Sequence, residues 1–253
     1  MIRATQAATL LTLGISLFAT GVNAETPDQA RARYNACMDK VTVNAEEAFD
    51  DATGWEGLGG GHPARHCALA ALVEIGHYSE AAQGLEKLAD VVRADAPFKA
   101  RLLLQSGHAW IAAGDAPHAA AVADAALSLI PNAPDAFLLR AQALALQGAY
   151  WEAADDLSRV LYSSPQDTSA LVMRGAAYRQ LDARELALDD LNRALEIDPG
   201  HPEGLLERGI VHRLSGRKRE ARTDWKRLIE GAPETEAARA AKANLHQLDS
   251  GVD

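Results

Sequence analysis

The stretch TSALVMRGAAYRQLDARELALDDLNRALEIDPGH, Thr168 to His201, decides how the chain is read. Apolar or small residues recur at three- and four-residue spacing through Leu171, Gly175 and Tyr178, and again through Leu188, Leu191 and Leu195. That period predicts two amphipathic helices joined by a short turn and closed by Asp198-Pro199-Gly200. One such helix pair buries too little apolar surface to stand alone. It needs copies of itself on either side.

The copies are present and in phase. With Thr168 as unit position 1, position 8 is Gly107, Ala141, Gly175 and Gly209 at steps of 34 residues. Position 20 is Ala119, Ala153, Ala187 and Ala221, and Ala81 fills it in the unit before, once a few extra residues at Ala94 to Pro97 are allowed for. A helix-stopping proline recurs at position 32 as Pro131, Pro165, Pro199 and Pro233. Position 15 reads Gly76, Gly114, Gly148, Asp182 and Gly216, which predicts a left-handed residue after each first helix.

This 34-residue pattern resembles the tetratricopeptide repeat, which carries a small residue at position 8, an aromatic at 11, alanine at 20 and proline at 32. Position 11 is aromatic at Trp110 and Tyr178 and departs to Leu72, Leu144 and His212 elsewhere. The resemblance implies an all-α fold, a right-handed superhelical solenoid of antiparallel helix pairs. Five units are expected at 62–99, 100–133, 134–167, 168–201 and 202–235, between an amino-terminal cap helix with a glycine-rich loop (25–61) and a carboxy-terminal capping helix (236–253). In the latter, Ala237, Ala241, Leu245 and Leu248 are expected to face inward.

The resemblance also implies that the first helix of each pair lines a concave groove, chiefly through positions 2, 5, 9, 12 and 13. Here those positions supply Leu104, Leu138, Val172 and Leu206, then His108, Gln142 and Ile210, then Ile111, Arg179 and Arg213. Such a trough suits a peptide or amphipathic helix of a protein partner with hydrophobic anchors. Arg179 and Arg213 stand one unit apart and are placed to hold a carboxylate of that ligand. Pairing with Asp182 or Glu207 is the competing reading. The Lys and Asn set with which chaperone-binding members of the family clamp a chain terminus is absent from positions 5 and 9, so that function is not carried over.

Residues 1–24 read as a signal peptide, with Arg3, an apolar run from Ala7 to Ala19 and a small-residue cleavage site at Val22-Asn23-Ala24. The apolar run is short for a bilayer span, and no stable membrane insertion is expected once it is removed. The expected location is periplasmic. The two cysteines, Cys37 and Cys67, then favour a disulfide between the cap and the first repeat helix. His62, His66 and Cys67 are close enough in sequence to suggest a metal, but a helix start beside a disulfide accounts for them better. Gly59-Gly60-Gly61 lacks the Lys-Ser or Lys-Thr of a phosphate loop and reads as a flexible turn, with Trp55 and Leu58 folded back on the cap.

A net charge of −10 without a basic run argues against nucleic acid as a partner. No serine, histidine and acid set or paired metal ligands stand at positions that converge, so no cofactor and no enzymatic activity are expected. Two readings remain: an interaction scaffold of the cell envelope, and a homo-oligomer whose groove is buried by self-association.

Overall fold

The computed structural model describes residues 25–250. The proposed signal peptide lies outside them. Every regular element among the described residues is helical: α1 (Pro27–Val41), α2 (Ala45–Trp55), α3 (Gly61–Ile75), α4 (Tyr78–Val91), α5 (Ala96–Ala112), α6 (Ala116–Leu129), α7 (Pro134–Leu146), α8 (Tyr150–Ser163), α9 (Thr168–Gln180), α10 (Arg184–Ile197), α11 (Pro202–Leu214), α12 (Lys218–Gly231) and α13 (Glu236–Ser250). Successive helices from α3 to α12 pack as five pairs, and each pair stacks on the next.

The turn residues do what their positions demand. Gly76, Gly114, Gly148 and Gly216 have φ of 93°, 79°, 78° and 75°, and Asp182, at 57°, is the one non-glycine residue with positive φ among the described residues. Aspartate tolerates that region better than a bulky or β-branched residue. At position 20, Ala81, Ala119, Ala153, Ala187 and Ala221 are all fully buried. A larger side chain there would push the paired helices apart.

The close approach at position 8 is tight at Gly209. A Cβ there would lie 2.7 Å from Cδ1 and 2.8 Å from Cε2 of Trp225. The indole is fully buried and donates its Nε1–H to the Leu206 carbonyl at 3.2 Å, so the ring has nowhere to retreat. Gly209→Ala is therefore expected to destabilise by about 2 kcal/mol, in the range for overpacking a dense core. Urea unfolding followed by circular dichroism checks it; an unchanged midpoint would mean that α11 and α12 separate freely.

A second period runs through the buried polar residues. Asp156, Asp190 and Asp224 are buried. Each accepts two hydrogen bonds from an arginine 16 residues earlier, Arg140, Arg174 and Arg208, at 2.6 to 2.9 Å. The remaining guanidinium nitrogen reaches back 16 residues, to Asp124, Ser158 and Asn192 respectively. Each arginine thus sits on the first helix of its pair, grips the second helix of the same pair and touches the second helix of the pair before. The two-pronged geometry suits guanidinium and carboxylate planes. Hydrogen bonding to Asp156 and Asp190 raises the pKa of Arg140 and Arg174 above its ordinary value, against the opposing effect of burial.

The clip fades toward the amino terminus. Ser106 occupies the arginine position in the second repeat, donating to the Ala82 carbonyl at 3.0 Å and to Glu86 at 3.2 Å. Glu86 also accepts from Trp110 Nε1 at 2.6 Å.

The cap departs from expectation. It is a pair of helices, because the chain breaks after Val41 and Asn44 caps α2, accepting from the Glu47 amide at 3.2 Å. Lys40 ties the pair together through Glu47 at 2.7 Å. The expected glycine loop is mostly helical: α2 continues through a π-helical turn, Glu56–Gly60, and the direction changes at Gly59 (φ 93°) and Gly61 (φ 56°). Trp55 is buried, with Arg33 4.9 Å over its ring and Glu25 accepting from its Nε1 at 3.3 Å. Leu58 is not folded back; it is 80 % exposed.

Cys37 in α1 and Cys67 in α3 form a disulfide with a Cα separation of 6.3 Å. It joins helices that both pack on α2, rather than helices either side of a loop. Around it lie Val41, Ala48, Ala52, Ala68 and Ala71.

One further difference concerns the length of a helix. The four extra residues before the second repeat lengthen α5 to 17 residues rather than forming a loop. Four residues are close to one full turn, so the buried face keeps its direction. At the other end, α13 buries Ala237, Ala238, Ala241 and Leu248, with Leu245 partly buried against them, and closes the core over Trp225 and Leu228.

Candidate functional site

Position by position, the groove residues divide by burial. His108 and Gln142 are exposed; Leu104, Ile111, Leu138, Arg179, Leu206, Ile210 and Arg213 are half-buried; Val172 is buried. Leu104 and Ile111 pack on the core of the first repeats, Leu138 on the central core, and Leu206 and Ile210 on the last. Their side chains serve first to join neighbouring helices, and the groove is less apolar at its surface than the sequence reading expected.

What remains open is a hollow of about 440 Å³ where α7 and α9 lie side by side over α8. Positions 9, 12 and 13 of two successive units line it: Gln142, Ala145 and Leu146 on one side, Ala176, Arg179 and Gln180 on the other. Met173 and Leu157 form part of its apolar lining. The small side chains Ala145 and Ala176 leave the space, Leu146 is 61 % exposed, and the two glutamines offer paired amide donors and acceptors.

Arg179 does not enter this hollow as a free cation. Its Nε donates to Glu207 at 2.6 Å and a second nitrogen does so at 3.4 Å, linking α9 to α11. The competing pairing noted in the sequence is the one formed. Asp182 instead pairs with Arg184 at 2.7 Å. The Arg213 Nε is buried without a hydrogen-bond partner among the described residues. His212, at the aromatic position of the last repeat, likewise buries Nδ1 unpartnered, and burial lowers its pKa below the ordinary 6.5, with Asp224 acting in the opposite direction.

The histidines nearest the cap are occupied by protein groups. The Tyr34 hydroxyl is 2.9 Å from His66 Nδ1, and His66 Nε2 is 2.8 Å from Gln105 Oε1. A neutral imidazole that accepts from Tyr34 and donates to Gln105 satisfies both contacts. Cys67 is in the disulfide. Among the described residues no cluster of three metal-ligating side chains occurs, and no helix is long and apolar enough to cross a membrane.

Solved structures that superpose on this arrangement of helices include tetratricopeptide-repeat proteins. MamA from Desulfovibrio magneticus RS-1, residues 41 to the end, superposes with a TM-score of 0.60 at 22% identity, covering 69% of this chain and 97% of that one. The fold is a tetratricopeptide-repeat solenoid. TTC0263, a thermophilic repeat protein of Thermus thermophilus, gives a TM-score of 0.59 at 19% identity over 73% of this chain and 99% of that one. YrrB, described as a TPR protein with an unusual peptide-binding site, gives 0.53 at 18% identity over 71% and 91%. No family model and no curated protein matches the sequence. Identities at this level establish the shared fold; the chemistry of the groove is read from this chain's own residues.

Two features of the groove escaped the sequence reading. Leu146, at position 13, is the exposed apolar contact in the hollow, yet attention to positions 5, 9 and 12 passed over it. The arginine and aspartate clip was visible as Arg140, Arg174 and Arg208 at the same 34-residue step as the alanines. A search restricted to small and apolar residues missed it.

Proposed function

We propose that this protein is a non-enzymatic interaction scaffold that holds a segment of a partner protein in its concave groove. The observation carrying this reading is the hollow between α7 and α9, where an exposed leucine and two glutamine amides surround a space kept open by alanines. Apolar contact with Leu146 and Met173 favours a hydrophobic anchor residue of the ligand. Gln142 and Gln180 are suited to its backbone groups, which an extended peptide leaves free. The peptide-binding site named for YrrB is in keeping with this use of the fold. Because Glu207 already neutralises Arg179, the hollow favours an uncharged anchor over an acidic one.

The cellular setting belongs to the same proposal. A signal peptide at residues 1–24 and the Cys37–Cys67 disulfide both fit export to an oxidising compartment, and the periplasm is the location we favour.

The test is a double substitution in the lining, Gln142→Glu with Leu146→Glu, which charges the hollow without touching the core. Cross-linking in native envelopes is expected to lose its partners by at least tenfold, with circular dichroism unchanged. Partners captured equally by both proteins would move the site elsewhere. Capture of the protein's own copies alone, with a concentration-dependent mass in light scattering, would favour the oligomeric reading.

A further inference from the structure

A second hollow, of about 520 Å³, opens where the cap meets the first repeats. Ala30 of α1, Pro63 of α3, Leu88 and Val92 at the end of α4, and Phe98 and Leu102 of α5 supply apolar walls. The Tyr34, His66 and Gln105 chain also lines it, and those three side chains already satisfy one another. Two arginines, Arg31 from α1 and Arg101 from α5, also line it, together with His62 of α3. Neither makes an ion pair among the described residues; Arg101 lies over the Phe98 ring at 5.4 Å.

The charge pattern is informative because of what surrounds it. The chain carries a net charge of −10, and Arg174 and Arg208 in the repeats are gripped by carboxylates. Yet the residues lining this hollow include no acidic side chain. Two exposed guanidinium groups beside an apolar recess are placed to meet an anion attached to an apolar body. The recess lies in the size range of small-molecule pockets.

We propose that this hollow binds a small amphiphilic carboxylate, its apolar chain seated against Leu88, Val92, Phe98 and Leu102 and its carboxylate held by Arg31 and Arg101. The occupant is a free small molecule of the medium-chain fatty-acid type. A partner's carboxy-terminal residue presents the same chemistry and is separated from it by experiment. The site is distinct from the groove hollow between α7 and α9 and does not depend on it.

The full mature protein is titrated calorimetrically with decanoate, with decanol, and with a hexapeptide ending in a free leucine carboxylate. Decanoate is expected to bind one to one and at least tenfold more tightly than decanol. Arg31→Gln with Arg101→Gln, both at exposed positions, should abolish that tenfold preference while leaving decanol binding and helicity unchanged. The groove variant Gln142→Glu with Leu146→Glu should bind decanoate as the wild type does, so the two sites fail or succeed separately. Absence of decanoate binding, equal affinity for decanoate and decanol, or a preference that survives in the arginine variant would each overturn the proposal. A hexapeptide that binds more tightly than decanoate would overturn the small-molecule assignment in favour of a chain terminus.

Discussion

Asp190→Ala is expected to cost about 3 to 5 kcal/mol of stability, the range for removing one partner of a buried ion pair. Asp190 is 2 % exposed, and both its oxygens accept hydrogen bonds from Arg174 at 2.7 Å. Without it the guanidinium keeps only the Ser158 hydroxyl as a hydrogen-bond partner, at 2.9 Å, with the Tyr178 ring 5.8 Å away, so a half-buried cation loses its counter-ion. The loss should be local at first, since a solenoid's stability is a sum of unit and nearest-neighbour terms. Hydrogen exchange should therefore accelerate in α9 and α10 before α3 and α4. Guanidinium chloride unfolding measures the size. The paired change Arg174→Met with Asp190→Leu separates charge burial from packing, because apolar replacement of a whole buried pair is often neutral or stabilising. A loss below about 1 kcal/mol for the single variant would falsify the view that the clip locks the repeats together.

The second large effect belongs to the cap. Replacing both cysteines, Cys37→Ala with Cys67→Ala, should destabilise the amino-terminal end by about 3 to 4 kcal/mol, the chain-entropy value for a closed loop of this length. The separation is 30 residues, and both sulfurs sit in a small core made mostly of alanines. Alanine contributes little burial per residue, so the cross-link carries more of the cap's stability than it would in a leucine-rich core. Hydrogen exchange in α1 and α2 reports the event locally, beside the helicity followed by circular dichroism. The expected pattern is two transitions in the double variant where the oxidised protein shows one, with the cap melting first. Dithiothreitol should reproduce it. A single unshifted transition would show that the π-helical turn and α2 hold the cap without the disulfide. Loosening of the cap also removes Tyr34 and Arg31 from the small-ligand hollow, so decanoate binding should fall with it.

Much of this architecture was legible in the chain, for local reasons. The left-handed turn at Asp182 was foretold by its register with four glycines, since backbone sterics at that position depend only on neighbours in sequence. The five buried alanines followed from periodicity in the same way. The split of the cap was also written there, as Asn44 three residues before Glu47, a capping pair at odds with one continuous cap helix. Leu58 and Val172 went the other way. Leu58 was expected to fold back on the cap and Val172, by its unit position, to line the groove; the observed packing leaves the first in solvent and buries the second.

The sequence by itself determined the helices, their turns, the repeat length and the faces that meet, because each is set within a few residues by backbone conformation and by period. Outside the repeated arginine and aspartate clip, only the tertiary structure decided which charges meet and where space remains. Arg179 chooses Glu207, 28 residues away, over Asp182 in the turn that follows its own helix. Arg31 and Arg101 come to line one hollow from helices α1 and α5, with α3 and the end of α4 supplying walls between them. Long flexible side chains reach several ångströms from their helix. Their partners are therefore fixed by how the helix pairs stack, which no spacing along the chain specifies.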